Sequence, residues 1–394
     1  MTILGAWLVF FATFGYLYSF GVFQDYYTRV LLSSHSPGKI AWIGSFQLML
    51  PFFLGAVSGK LFDAGYFHAL EISGGIIFTV SLFLSSLVKP QSYSQVFLSQ
   101  GIGMGLGLGL SFVPTASIAV HHFKRRRALA TGIALSGGAI GSVIFPISAS
   151  HLIPSIGFAK AVRASAGIVL GCLVIGNCLM RTAYPTKNTD EKATKPDIVG
   201  FFSDPPYLWV NLGGLLANFG VFFPMVYMQL YAVQHHIDPN LAFYSIALLN
   251  GMGAFGRISA NFLADKYGTF NLIVPFTFIN AALIFSIFGV TSKGALIVFS
   301  IIFGLFSGAW LSLSVAGLAS LARRPDEVGA RTGIALAISS FGALGAAPSQ
   351  GSLLTDAFLW HKAILFSGIM LGASGVCFMV TRTLIARERH TQKV

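Results

Sequence analysis

A chain of 394 residues that is 55% hydrophobic and only 10% charged is not composed like a water-soluble domain, which carries about 25% charged residues. The net charge of +12 falls in short clusters between apolar segments. It does not form an aromatic-studded basic stripe, which argues against nucleic acid as a partner.

Apolar runs long enough to cross a bilayer recur from end to end. They predict helices near 3–27, 40–62, 68–88, 93–120, 128–150 and 160–181. The first is read as a retained helix, because no basic residue precedes it and no small-residue cleavage site follows. A polar stretch follows, carrying Lys187, Asp190, Glu191, Lys192, Lys195 and Asp197. Six more helices are then expected near 205–232, 240–264, 268–290, 294–321, 333–354 and 358–381. The expected architecture is an all-α membrane protein of twelve crossings: a six-helix bundle over 1–181, a linker over 182–204 and a second bundle over 205–394. Lys and Arg concentrate on one side, notably at Lys124 to Arg127 and at Arg323, Arg324 and Arg331. The positive-inside rule therefore places both termini in the cytosol.

The two halves echo one another. The string TGIAL occupies Thr131 to Leu135 and again Thr332 to Leu336, 201 residues apart, with Arg127 and Arg331 preceding the copies. Asp63 ends the second helix as Asp265 ends the eighth, and Phe14, Gly15, Gln24 and Tyr26 reappear as Phe219, Gly220, Gln229 and Tyr231. Matches in one order, at nearly one spacing close to half the chain length, indicate a parallel repeat. Such a repeat exposes a midplane site alternately to the two sides by rocking one half on the other.

The segment HHFKRRRALATGIALSGGAIGSVIFP, His121 to Pro146, resembles the fifth-helix signature of the monocarboxylate porter family of the major facilitator superfamily. GRISANFLADKYG, Gly256 to Gly268, resembles that family's eighth helix, and YSFGVFQDYY, Tyr18 to Tyr27, the end of its first. The likeness is nearest to the fungal branch. The family's acidic-Gly-Gly opening is absent, with only Gly5, Ala6 and Trp7 near its place. Tyr18 and Gly253 stand where proton-coupled animal members have a lysine and an aspartate.

Arg257 lies eight residues before Asp265, about 12 Å inside the hydrocarbon boundary at ~1.5 Å per residue. Such a charge faces a wet cavity or a partner, so it is assigned either to a substrate anion, which its planar fork suits, or to structural pairing. The resemblance implies a central cavity lined by helices 1, 7 and 8, which makes Tyr16, Tyr18, Asn218, Phe222, Tyr227 and Asn250 further substrate-binding candidates. Asp63 and Asp265, with Arg127 and Arg331, are expected to form a reciprocal cytosolic gate in which each carboxylate meets the positive end of a helix in the other half.

The alternating glycines Gly101 to Gly109 lack Gly-x-Gly-x-x-Gly and are read as helix packing. Cys172, Cys178 and Cys377 lie within apolar runs and are read as small packing residues. The pairs His121–His122 and His235–His236 have no metal-type company. No cofactor, nucleotide loop or enzymatic constellation is expected.

The sequence reading is a secondary carrier of a small organic anion, such as a monocarboxylate, with a proton or counter-substrate as coupling partner. It is expected to act as a monomer among membrane lipids, in the plasma membrane rather than a vacuolar or other internal one. The alternatives are a carrier of a larger or neutral metabolite, such as a vitamin or secondary metabolite, and a solute sensor without flux.

Overall fold

The computed structural model describes residues 1–123, 126–182, 198–324, 327–354 and 359–394, apart from the side chains at 37, 120 and 121. Among these residues, twelve helices are long and apolar enough to cross a membrane. They are α1 Thr2–Leu31, α2 Gly38–Asp63, α3 Phe67–Ser85, α4 Tyr93–Ala119, α5 Arg127–Ile156, α6 Phe158–Leu179, α7 Pro205–Gln234, α8 Pro239–Tyr267, α9 Thr269–Gly289, α10 Lys293–Ser320, α11 Val328–Leu354 and α12 Trp360–Glu388. The all-α, twelve-helix class read from the sequence is the class observed.

Local chemistry sets the helix ends. Ser36, Asp238 and Ser292 accept backbone N–H bonds in the first turns of α2, α8 and α10, satisfying donors that have no intrahelical acceptor. Gly157 and Gly268, at φ +81° and +98°, turn the chain between α5 and α6 and between α8 and α9, a conformation glycine adopts without steric cost. Two helices are irregular: α1 ends in a π-helical turn over Tyr27–Leu31, and α4 opens with one over Phe97–Met104.

With an even number of crossings, both chain ends lie on one side, called here the terminal face. In the first half α1 packs on α5 and α6, α2 on α4, and α3 on α4 and α6; in the second, α7 packs on α11 and α12, α8 on α10, and α9 on α10 and α12. The halves meet along α5 against α8 and α2 against α11. Exchanging the halves converts one of these interfaces into the other, the relation expected of a parallel repeat.

The expected linker 182–204 has its middle, 183–197, outside the described residues. Its end is not a free polar tether: Ile198–Phe201 forms a short helix with Phe201 buried, and Asp204 is buried at the start of α7.

Backbones touch where glycines allow it. A Cβ on Gly256 would lie 1.9 Å from the Leu305 carbonyl oxygen of α10, and backbone cannot yield as a side chain can. Overpacking of this kind costs about 1–3 kcal/mol. Gly256→Ala is therefore expected to lower the unfolding temperature in detergent, whereas Gly171→Ala, with open space around it, leaves it unchanged or raises it through the helix propensity of alanine.

Candidate functional site

Arg257 sits on α8 at the interface with α5, and its surroundings explain how a guanidinium is accommodated there. A Cβ on Gly132 would lie 2.5 Å from the Arg257 carbonyl oxygen, and one on Gly138 3.6 Å from Nη1. Glycines on α5 thus bring that helix close and leave a slot for the side chain. Nη1 donates to the Leu135 carbonyl oxygen at 2.6 Å, and Tyr18 shares the cavity lining with the guanidinium. Nε is buried without an acceptor. No carboxylate pairs with Arg257 among the described residues, although the residue is 9% exposed. A desolvated cation bonded to one carbonyl, with Nε unpaired, retains unused capacity for an anion.

Arg257 lines a central cavity with Asn218, Trp310, Ser312 and Ser339 of its own half and with Phe14, Tyr18, Phe52 and Phe112 of the first half. The cavity holds about 880 Å³ of atom-free space, counting the part open to solvent. Phe270, at the start of α9, and Leu318, near the end of α10, bound it toward the terminal face.

Of the residues proposed from sequence, Arg257, Tyr18 and Asn218 come together on this cavity. The others lie elsewhere. Tyr16 is 2% exposed, with its ring against Phe23, Phe78 and Phe145 inside the first bundle. Phe222 is buried at the break between the Pro205–Val221 and Phe223–Gln234 segments of α7 and is not part of the lining. Beyond that break, the Tyr227 hydroxyl donates to the Ala347 carbonyl oxygen at 2.7 Å. Asn250 is partly buried, outside the lining.

The four gate residues divide in a similar way. Asp63 accepts from the N–H groups of Gly329 and Ala330 at 2.9 and 2.7 Å, and Asp265 from those of Ala128 and Leu129 at 3.1 and 3.0 Å. Each carboxylate therefore caps the first turn of a helix in the opposite half, and the two caps are related by the internal repeat. The arginines act differently from expectation. Arg331 is buried, paired with Asp204 at 2.8 Å, and lies over the rings of Phe201 and Tyr207. Its charge is thus spent within the second half. Arg127 is exposed and donates to the Phe123 carbonyl oxygen.

The family model described as "Major Facilitator Superfamily" matches residues 2–294. The chain belongs to that superfamily. It is thus a multi-pass membrane transporter rather than an enzyme, of a superfamily whose members bind small molecules, some with proton coupling.

Similar curated proteins include the MFS transporter asaE of Aspergillus flavus, 34% identical over 98% of this chain and 86% of the relative. The aspyridones efflux protein apdF of Emericella nidulans is 35% identical over 95% of this chain and 76% of the relative, and the fujikurins efflux protein of Gibberella fujikuroi 31% over 99% and 83%. Among solved structures, the E. coli fucose:proton symporter FucP superposes with a TM-score of 0.73 at 12% identity, covering 96% of this chain and 97% of that one. The nucleoside transporter NupG gives 0.67 at 13%, covering 96% and 98%. At such identities these two establish the fold alone.

The superfamily fold directs attention to residues that sequence reading passed over. Trp310, Ser312 and Ser339 on α10 and α11 line the cavity; their signal was a scatter of polar atoms along helices otherwise apolar enough to be read only as spans. Glu71, 1% exposed in α3, accepts from the Thr115 hydroxyl at 2.6 Å, and its other oxygen has no partner. A lone acid early in an apolar run was the available signal.

Arg331 yields a further expectation. Removing one partner of a buried ion pair leaves an uncompensated charge and costs about 3–5 kcal/mol. Arg331→Met, which leaves buried Asp204 only the exposed Arg323 at 3.6 Å, is expected to lower the unfolding temperature, and Arg331→Met with Asp204→Leu to recover most of it.

Proposed function

We propose that this superfamily member is a secondary carrier that exports an organic metabolite bearing an acidic group. The observation that carries the reading is Arg257: a buried guanidinium on the wall of a central cavity, with no carboxylate partner among the described residues and one donor unused. A charge at that depth persists where it does work, and its fork suits a carboxylate or an equivalent oxyanion. Two relatives are efflux proteins named for aspyridones and fujikurins; they favour outward transport of a secondary metabolite over carriage of a simple monocarboxylate.

In this reading the terminal face is cytosolic, as the basic clusters argue, and the membrane is the plasma membrane. The carboxylate caps on α5 and α11 hold that face shut while the cavity communicates with the other side. Breaking them admits substrate from the cytosol. Transport is driven by a proton or counter-substrate gradient, and the carrier works as a monomer.

The test is efflux from proteoliposomes loaded in turn with labelled aspyridones, fujikurins and simple monocarboxylates, with and without a pH gradient. Concentrative, Arg257-dependent movement of a secondary metabolite supports the proposal. Movement of monocarboxylates alone restores the smaller-substrate reading, and binding without flux makes the protein a sensor.

A further inference from the structure

The polar side chains of the cavity are unevenly divided between the halves. The first half contributes Phe10, Phe14 and Tyr18 from α1, Phe52 from α2 and Phe112 from α4. The three α1 residues recur every fourth position, so they form one stripe of the helix. Their rings make one continuous cluster: Phe14 lies 4.9 Å from Phe112, 5.9 Å from Phe10, 6.4 Å from Phe52 and 6.2 Å from Tyr18, and Phe52 lies 5.4 Å from Phe112. Apart from the Tyr18 hydroxyl, this wall presents no polar side-chain atom.

The second half contributes apolar side chains too, among them Phe270, Leu311, Val315 and Phe378, but it also carries every polar side chain of the lining other than Tyr18, including Asn218, Arg257 and Trp310. Two of its buried polar groups are unused, and both are donors. Arg257 Nε and Trp310 Nε1 are both buried donors without an acceptor. The serine hydroxyls of Ser312 and Ser314 already donate within α10, and the Asn218 amide donates to the Gly214 carbonyl oxygen. A ligand in this cavity therefore meets the aromatic rings of the first half and, among the polar groups of the second, two spare buried N–H donors. Leaving buried donors unpaired is unfavourable, and a ligand acceptor that reaches them as the cavity rearranges would remove the penalty.

We propose that the site reads its substrate as two separate parts: a flat aromatic body held on the Phe10–Phe14–Phe52–Phe112 wall, and an acceptor-rich acidic head held by Arg257 with Trp310 as second donor. This deepens the reading of an acid carrier and rests on it. Because the two walls belong to different halves, a bound substrate spans the interface that rocking must change. Molecules with only one of the two parts engage only one half.

The test is binding of 2-naphthoate, its neutral isostere naphthalene-2-carboxamide, and acetate to the full chain purified in detergent. Wild-type protein should bind 2-naphthoate, with the amide about tenfold weaker and acetate weaker still, as expected for loss of a charge-assisted contact and of ring contacts respectively. Phe14→Leu with Phe112→Leu should weaken the acid and the amide by the same factor, about tenfold, leaving their ratio unchanged. Trp310→Phe should weaken 2-naphthoate about fivefold while the unfolding temperature stays at the wild-type value. If Arg257→Gln weakens 2-naphthoate but the phenylalanine variant does not, the acid reading stands and the two-part inference falls. If Arg257→Gln has no effect on 2-naphthoate, the acid reading itself falls. Absence of 2-naphthoate binding by a protein that still transports another acid overturns the aromatic-body inference alone.

Discussion

Arg257→Ala is expected to insert and fold at wild-type yield and to transport an acidic substrate about 10- to 100-fold more slowly. A hydrogen bond to a charged group contributes about 1.5–3 kcal/mol, and each 1.4 kcal/mol is a factor of about ten. Folding should survive, because the variant removes a desolvated cation that no carboxylate compensates among the described residues and replaces it with the best helix former. What is lost structurally is the bond to Leu135. Arg257→Lys keeps the charge but not the planar fork, so it should fall between wild type and alanine. Vesicle flux normalised to inserted protein measures both. Unaltered flux in Arg257→Ala would assign the residue to holding α8 against α5.

Asp63→Asn combined with Asp265→Asn should open the terminal face. Each carboxylate caps two backbone donors of a helix in the other half, and capping together with the helix dipole contributes roughly 1–2 kcal/mol per site. Asparagine keeps one acceptor and loses the charge. Two such losses across one interface shift the closed-to-open ratio by about 2–4 kcal/mol, roughly 30- to 1,000-fold. Tyr66 and Tyr267 are exposed on that face, one in each half. Spin labels at those positions should show a longer distance in the double variant, with each single variant intermediate. A distribution identical to wild type would mean that the close α2–α11 packing, where a Cβ on Gly59 would lie 2.0 Å from the Gly329 carbonyl oxygen, holds the face shut alone.

Much of this was legible in the sequence, for identifiable reasons. Span number and type follow from the length of apolar runs, which the bilayer enforces. The repeat led to the paired carboxylate caps because Asp63 and Asp265 sit at equivalent helix ends, and the first TGIAL copy contains Leu135, the acceptor of Arg257. Arg257 stood out because so deep a charge needs a purpose.

The rest depended on rotation about helix axes. Tyr16 and Tyr18 are two residues apart, hence about 200° apart around a helix at 3.6 residues per turn. Only one could face the cavity, and composition does not say which. Asn218 and Phe222 share a face only if α7 is straight, and it breaks at Phe222. The phenylalanine wall was hidden among 37 phenylalanines, since contact between Phe14 and Phe112 is a tertiary fact. Arg331 looked like a gate residue because the repeat aligned it with Arg127, yet burial beside Phe201, Tyr207 and Asp204 gave it a role within its own half.

The central claim is that one cavity, walled by both halves and holding Arg257, is exposed to one side at a time. Asn218→Cys, in a background with Cys172, Cys178 and Cys377 replaced by serine, places a thiol on the cavity wall. A membrane-impermeant thiol reagent should label it from the side opposite the termini in protein with intact caps, and from the terminal side once Asp63 and Asp265 are both asparagine. Equal labelling from both sides in each protein, or none from either, would contradict the account.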